Sequence, residues 1–136
     1  MIRYFLAALL PVLSLSSVRA EEKSDGAIKI LFLGDSLTEG YGISKEKAYP
    51  KLVIEGLNHR FVVRRMGKRV AGLYAGVSGS TSASGLSRLR WFMKGNPKVR
   101  FLALGANDGL RGIAPSEREK NLDATIAALR EIAGDA

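Results

Sequence analysis

Apolar and polar positions follow two different patterns along the chain, and together they predict a layered α/β domain. Continuous apolar runs at residues 27–33 (AIKILFL) and 99–104 (VRFLAL) are typical of strands that are covered on both faces. Residues 61–77 predict a further strand, although arginines and glycines interrupt it. Helices are expected between these strands, at residues 44–60 and 81–94. Strands that alternate with helices in this way predict a parallel sheet with right-handed crossovers.

A last helix is predicted after the third strand, from Pro115 onward. Ser116 and Glu119 fit a capping box, in which a serine and a glutamate each accept a hydrogen bond from a backbone N–H group at the start of a helix. The apolar face of this helix is expected to consist of Leu122, Ile126, Leu129 and Ala133.

The first twenty residues are typical of a secretory signal peptide. Arg3 precedes an apolar run at residues 4–15, and small residues precede an expected cleavage after Ala20. A membrane anchor is the alternative, but the run is short for a span and contains Pro11. We therefore expect a periplasmic or secreted protein in which residues 21–136 belong to one domain. The chain contains no cysteine, so disulfides do not contribute to its stability.

The positive charge is distributed unevenly. The net charge is +8, and no acidic residue occurs between Glu55 and Asp108, where ten lysines and arginines fall. Five of them lie within ten positions: Arg60, Arg64, Arg65, Lys68 and Arg69. Such a cluster is either a solvated surface or a site for a polyanion or an anionic lipid. Aromatic residues are sparse in the same region and no nucleic-acid motif occurs. We therefore expect no nucleic-acid partner, while a weak contact with an anionic surface stays open.

Three motifs give the chain a resemblance to a known family. They are GDSLTEGYG at residues 34–42, AGVSGSTSASGLSRL at 75–89 and LGANDGLRG at 104–112. In this order and spacing they resemble the signature blocks of the GDSL, or SGNH, hydrolases, with the greatest similarity to their bacterial arylesterase, thioesterase and lysophospholipase branch. The resemblance implies a flavodoxin-like α/β fold with helices on both faces of a parallel sheet. It also implies that residues 21–136 are the N-terminal part of this domain, with about three of its strands.

The resemblance also implies catalytic roles. Ser36 matches the nucleophile, whose backbone N–H is one oxyanion donor; Gly79 matches a second N–H donor, and Asn107 a side-chain donor. Such donors stabilise the charge that develops on a tetrahedral oxyanion. Taken singly, Ser36 could be a helix N-cap and the other two could be turn residues. Asp35 is interpreted as structural because it directly precedes the serine.

The general base of the family has no counterpart in this sequence. The family takes a histidine and its orienting aspartate from an Asp-x-x-His block near the C-terminus, and no such block occurs here. The single histidine, His59, is expected at the end of the first long helix, where it would interact with the helix dipole. Little or no turnover is therefore expected of the chain as given. The alternative function is a non-catalytic module that binds an acyl group or a glycan.

The expected partner is a small acyl ester. The resemblance implies no metal and no organic cofactor, and the glycine-rich fingerprints of nucleotide-binding loops are missing. The sequence does not distinguish among aryl esters, lysophospholipids, thioesters and sugar acetates, and it leaves the oligomeric state open.

Overall fold

The computed structural model describes residues 26–60 and 65–134 and contains a three-stranded parallel sheet. The strands are β1 (Ile28–Gly34), β2 (Val70–Gly76) and β3 (Val99–Ala103), in the order β2-β1-β3. The central strand β1 pairs with both neighbours, so that Ile30 lies between Gly72 and Val99. The predicted parallel α/β architecture is confirmed. The predicted signal peptide lies outside the described residues.

α-Helices and one short 3₁₀ turn connect the strands and follow β3. The 3₁₀ turn is Lys45–Lys47, and the helices are α1 (Ser36–Glu39), α2 (Tyr49–His59), α3 (Ser84–Met93), α4 (Ala106–Leu110) and α5 (Pro115–Ala133). In the part of the chain that the structure describes, none of these helices has the length and apolar content to cross a bilayer.

The sheet has an apolar core on each face, because successive side chains of a strand point to opposite sides. Leu31 and Leu33 of β1 face α3 and α5, where the buried residues of the first core also include Ala75, Leu89, Met93 and Leu129. The second core, on the side of α2, consists of Ile30, Phe32, Ile54 and Val70. Helices therefore cover both faces of β1, as predicted for an uninterrupted apolar strand.

Two predicted helices begin later than their patterns indicate. The segment 44–60 forms its α-helix only from Tyr49, after the 3₁₀ turn and an extended Ala48. Pro50 lies in the first turn of α2, where a missing backbone N–H has no cost. The segment 81–94 becomes α-helical at Ser84, because the residues before it form the turns that follow β2.

The predicted capping box of the last helix is wrong. Ala114 is the N-cap and makes no side-chain cap hydrogen bond, and Pro115 is the first helical residue. The fixed φ angle of proline suits that position, so Ser116 lies one step inside the helix and cannot cap it.

The predicted apolar face of α5 is correct only in part. Leu129 is buried, whereas Ile126 is 39% exposed and the fully buried side chain is that of Thr125. Thr125 packs against Gly85 of α3, where a Cβ atom would lie 2.9 Å from the threonine Oγ1. Its hydroxyl donates to the carbonyl of Asn121 at 2.9 Å, which satisfies the polar atom inside the helix. The side chain of Ala133, the last residue of the predicted face, lies outside the described part of the structure.

Candidate active site

Ser36 lies at the carboxyl end of the central strand, on the first residue of α1. Asp35 is the N-cap of this helix, and its Oδ1 accepts a hydrogen bond from the N–H of Leu37 at 3.0 Å. This cap agrees with the structural role predicted for Asp35. The first N–H groups of a helix have no partner within it, so the backbone N–H of Ser36 lies outside the helical hydrogen-bond pattern.

The loop after β2 is fastened to α1 by close backbone contact and by Glu39. A Cβ atom on Gly76 would lie 2.2 Å from the backbone nitrogen of Glu39, so only glycine allows the strand end to approach the helix this closely. The Glu39 carboxylate accepts a hydrogen bond from the Ser78 N–H at 2.7 Å and another from the Ser78 hydroxyl. These two bonds hold the pKa of Glu39 below its ordinary value, and the bond from the Ser78 hydroxyl has the larger effect.

Gly79 and Asn107 are connected by hydrogen bonds between the loops that follow β2 and β3. Gly79 has a φ of +75°, in the left-handed region that favours glycine. Its carbonyl accepts from Arg111 Nη2 at 2.8 Å, and the carbonyl of Ser80 accepts from Asn107 Nδ2 at 2.9 Å. Asn107 itself belongs to the short helix α4. The three predicted site residues thus follow the carboxyl ends of three adjacent strands.

A buried carboxylate, that of Asp108, makes the strongest connection between these two loops. Its Oδ2 accepts from the backbone N–H of Ser82 at 2.8 Å, and its Oδ1 accepts a short hydrogen bond from the Ser82 hydroxyl. The same hydroxyl accepts from Asn121 Nδ2 of α5 at 3.1 Å. Burial by itself would raise the pKa of Asp108, but the bonds from Ser82 outweigh it and hold the pKa below its ordinary value.

Arg88 of α3 holds the ends of β1 and β2 together from one side of the sheet. Its Nη1 donates to the carbonyl of Ala75 at 2.9 Å and its Nη2 to the carbonyl of Gly34 at 3.0 Å. Burial lowers the pKa of Arg88, and the nearby carboxylate of Asp35 partly opposes this. The second carbonyl belongs to the residue two positions before Ser36, so Arg88 helps to position the turn that carries the serine.

Sequence reasoning missed the roles of Arg88 and Asp108. Their position inside the motifs at residues 75–89 and 104–112 is the one feature of the sequence that could have drawn attention to them. Their partners are 13 to 54 residues away along the chain, so no local pattern indicates which groups they contact.

His59 is not brought to this edge of the sheet. It is the last, exposed residue of α2, next to Asn58, whose side chain bonds to both backbone groups of Val70 at the start of β2. Ser36 follows the other end of the sheet, and strands of seven residues span roughly 20 Å. The prediction that His59 ends a helix is confirmed, and the imidazole is far from the serine.

The described residues near the candidate site form one cavity that the three site residues do not line. A cavity of about 290 Å³ lies near α1, between Thr38, Lys45 and Tyr74, and neither Ser36 nor Gly79 nor Asn107 lines it. Across residues 26–60 and 65–134, no group of three or more acidic or histidine side chains could hold a metal ion.

Comparisons with known proteins show the family and the fold of the chain. The model of the GDSL-like lipase/acylhydrolase family matches residues 32–136. An arylesterase of Vibrio mimicus is 35% identical over 109 residues, which are 79% of this chain and 52% of that protein. Thioesterase 1/protease 1/lysophospholipase L1 of Escherichia coli K12 is 37% identical over 101 residues, which are 74% of this chain and 44% of that protein. The chain thus spans about half the length of the curated relatives it matches.

One solved structure is similar to this chain in both fold and sequence. AlinE4, an esterase of the SGNH-hydrolase family, superposes with a TM-score of 0.66 and 34% identity, over 77% of this chain and 54% of that chain. The flavodoxin-like SGNH fold expected from the motifs is therefore confirmed.

The Asp108 contact predicts a specific dependence of stability on pH. Because the pKa of Asp108 is lowered in the folded state, its stabilisation is complete above the unfolded-state value of about 3.9 and is lost as the pH falls through the folded value. We expect Asp108→Asn to lower the free energy of unfolding by about 2 kcal/mol at pH 7, since it weakens charge-assisted bonds in a buried site. Urea unfolding at several pH values measures this.

The difference between the wild type and Asp108→Asn should shrink as the pH falls below about 4. Asp123→Asn, at an exposed position of α5, is the matched control and should change the unfolding free energy by less than about 0.5 kcal/mol. A constant difference between the wild type and Asp108→Asn down to pH 2 would contradict the charged contact.

Proposed function

Because the chain belongs to the GDSL-like lipase/acylhydrolase family, we propose that it supplies the nucleophile and the oxyanion donors of a serine esterase that acts on small acyl esters. The hydroxyl of Ser36 attacks the acyl carbonyl, an acyl-enzyme forms as the alcohol leaves, and water then releases the acid. The observation that supports this most is the convergence of three distant motifs at the carboxyl ends of β1, β2 and β3.

Three donors around Ser36 would bind the oxyanion. They are the N–H of Ser36, the N–H of Gly79 and the second N–H of the Asn107 side chain, whose other N–H is engaged by Ser80. Hydrogen bonds from outside the triplet support each donor, through Asp35, Arg111 and the Ser80 carbonyl. Donors fixed in advance cost no reorganisation when charge develops, which is why such groups contribute strongly to catalysis.

Apolar side chains beside the three site residues favour an acyl substrate. Leu37 is 72% exposed next to the nucleophile, Val77 is 46% exposed on the loop of Gly79, and Leu110 is 84% exposed at the end of α4. Large apolar groups in such positions offer a contact surface for a hydrocarbon chain or an aryl group. The names of the relatives include arylesterase, thioesterase and lysophospholipase activities, and aryl and short acyl esters are the first substrates to test.

Attack by the serine hydroxyl requires a proton acceptor, and His59, the single histidine of the sequence, lies at the opposite end of the sheet. In the proposed mechanism, the general base belongs to an Asp-x-x-His block of the kind that the family carries. Residues 1–136 do not contain this block, so they are expected to turn over ester poorly. The same observation favours the second candidate function, a non-catalytic module that binds an acyl group or a glycan at this edge.

The proposed place of action is the periplasm or the exterior of the cell. The support is the pattern of residues 1–20, with a basic start, an apolar run and small residues up to Ala20. An exported product whose intact mass corresponds to a chain beginning at Glu21 supports this; a product that still begins at Met1 contradicts it.

The assignment of Ser36 and Asn107 is tested in a form of the protein that carries an Asp-x-x-His block. An organophosphonate should label Ser36, and Ser36→Ala should abolish both labelling and hydrolysis of p-nitrophenyl acetate. Asn107→Ala should lower kcat about 10²–10³-fold with little change in KM, because its bond strengthens only as the oxyanion forms. Ser87→Ala, on the exposed face of α3, is the matched control. Labelling that persists in Ser36→Ala would place the nucleophile elsewhere.

The 136-residue chain itself should hydrolyse p-nitrophenyl acetate no faster than its Ser36→Ala variant. Loss of the histidine from a serine triad costs on the order of 10⁶ in kcat, so the remaining rate should be lost in the background. The assay compares the chain, Ser36→Ala and His59→Ala under the same conditions. Turnover that exceeds the background and disappears in His59→Ala would show that His59 is the base after all. Binding of an acyl ligand without turnover would support the second candidate function.

A further inference from the structure

Seven basic residues lie at the end of the sheet opposite to the candidate active site. At this end the three strands begin and the helices α2 and α3 finish. We define the basic pole as Lys29, Arg60, Arg65, Lys68, Arg69, Lys94 and Lys98. The stretch of sequence between Glu55 and Asp108 supplies six of the seven and contains no acidic residue.

The register of the sheet places these residues side by side. The carbonyl of Arg69 accepts from the N–H of Ile28 at 2.8 Å, and the carbonyl of Lys29 accepts from the N–H of Lys98 at 2.9 Å. The starts of β2, β1 and β3 are therefore neighbours, and adjacent strands lie about 4.8 Å apart. The starts of the three strands thus carry a row of basic residues, Arg69, Lys29 and Lys98, from distant parts of the sequence.

Helix stabilisation explains only part of this row. Arg60 and Lys94 follow the C-terminal ends of α2 and α3, where a positive charge interacts favourably with the helix dipole. Lys68 and Lys98 belong to no helix, and both side chains are exposed. Helix capping therefore does not account for Lys68 and Lys98. The opposite end of the sheet carries charges of both signs, because Lys45, Arg88 and Arg111 lie near the carboxylates of Asp35, Glu39 and Asp108.

Two exposed apolar side chains accompany the basic pole. Trp91, in the last turn of α3, is 70% exposed, and the Lys94 Nζ lies 5.0 Å from the centre of its ring. Met66 is 57% exposed and lies in the turn between Arg65 and Lys68. An exposed tryptophan beside a lysine side chain is typical of groups that enter the headgroup region of a bilayer.

We propose that the basic pole docks the protein on an anionic phospholipid bilayer, with Trp91 and Met66 at the level of the headgroups. Each lysine or arginine close to such a surface adds about fivefold to the affinity. A single-stranded nucleic acid fits less well, because stacking of its bases needs several exposed aromatic side chains along a groove, and among the described residues beside the basic pole Trp91 is the exposed one. Docking in this way turns the edge of the sheet that carries Ser36 away from the bilayer. The inference does not depend on the proposed esterase activity.

The experiment uses the chain and its own fluorescence, since Trp91 is the only tryptophan in the sequence. Vesicles of phosphatidylcholine alone are compared with vesicles that also contain phosphatidylglycerol, by co-sedimentation and by the emission of Trp91. Binding should require the anionic lipid, weaken as salt is added, and shift the emission of Trp91 to shorter wavelength. Equal binding to both kinds of vesicle, or binding without a change in Trp91 emission, would overturn the proposal.

Two double variants distinguish an effect of the basic pole on vesicle binding from an effect of net charge. Lys68→Glu with Lys98→Glu should weaken vesicle binding about 25-fold or more. Lys47→Glu with Lys120→Glu, at exposed positions outside the basic pole, makes the same change in net charge and should leave binding within about threefold of the wild type. Residues 1–20 are common to all forms, so any affinity they add cancels in the comparison. Circular dichroism of each variant verifies the fold.

A conservative pair and a competitor complete the test. Lys68→Arg with Lys98→Arg keeps the charges and should retain vesicle binding, which a role of these lysines in folding alone would not require. Equal losses in the two glutamate variants would show that only net charge matters and would overturn the proposal. Tight binding to duplex DNA with no binding to anionic vesicles would overturn the proposal and show that the partner of the basic pole is a nucleic acid.

Discussion

The buried contact between Asp108 and Ser82 is the interaction on which the candidate site depends. The carboxylate binds both the backbone N–H and the hydroxyl of Ser82, and Asn121 of α5 adds a third connection. A buried charge is tolerated only when its hydrogen bonds are satisfied, so this contact favours one arrangement of the loops after β2 and β3 in the folded state. The neighbours of these two residues, Asn107 and the segment that contains Gly79, are positioned as a consequence.

The other side of the site is positioned by the packing of β1. This strand is covered on both faces, and Arg88 and Glu39 connect its end and the following helix to β2. The polar groups that bind substrate in the proposed mechanism are therefore positioned by a strand that is packed on both faces and by hydrogen bonds to residues other than the three site residues. The opposite end of the sheet carries the basic pole, so the fold separates the two proposed activities, ester chemistry and surface docking, along the direction of the strands.

The apolar strands β1 and β3 and the turn that carries Ser36 could be predicted from sequence, because they depend on local signals, whereas the strand order could not. An apolar run such as 27–33 indicates a buried strand, and a motif such as GDSL places Ser36 after it. The details that failed depend on contacts from elsewhere. Ser116 and Pro115 both signal the start of a helix, and only the observed backbone decides for the proline. Thr125 is buried because α5 packs against Gly85, a contact between residues forty positions apart that no periodicity reveals.

A double-mutant cycle on Ser82 and Asp108 tests most directly whether the two loops are coupled as described. The free energies of unfolding of the wild type, Ser82→Ala, Asp108→Ala and the double variant would be measured at pH 7 by urea titration. A charge-assisted bond in a buried site predicts a coupling free energy of about 1.5 kcal/mol or more. Strictly additive effects, with a coupling near zero, would contradict the account that this contact holds the site together.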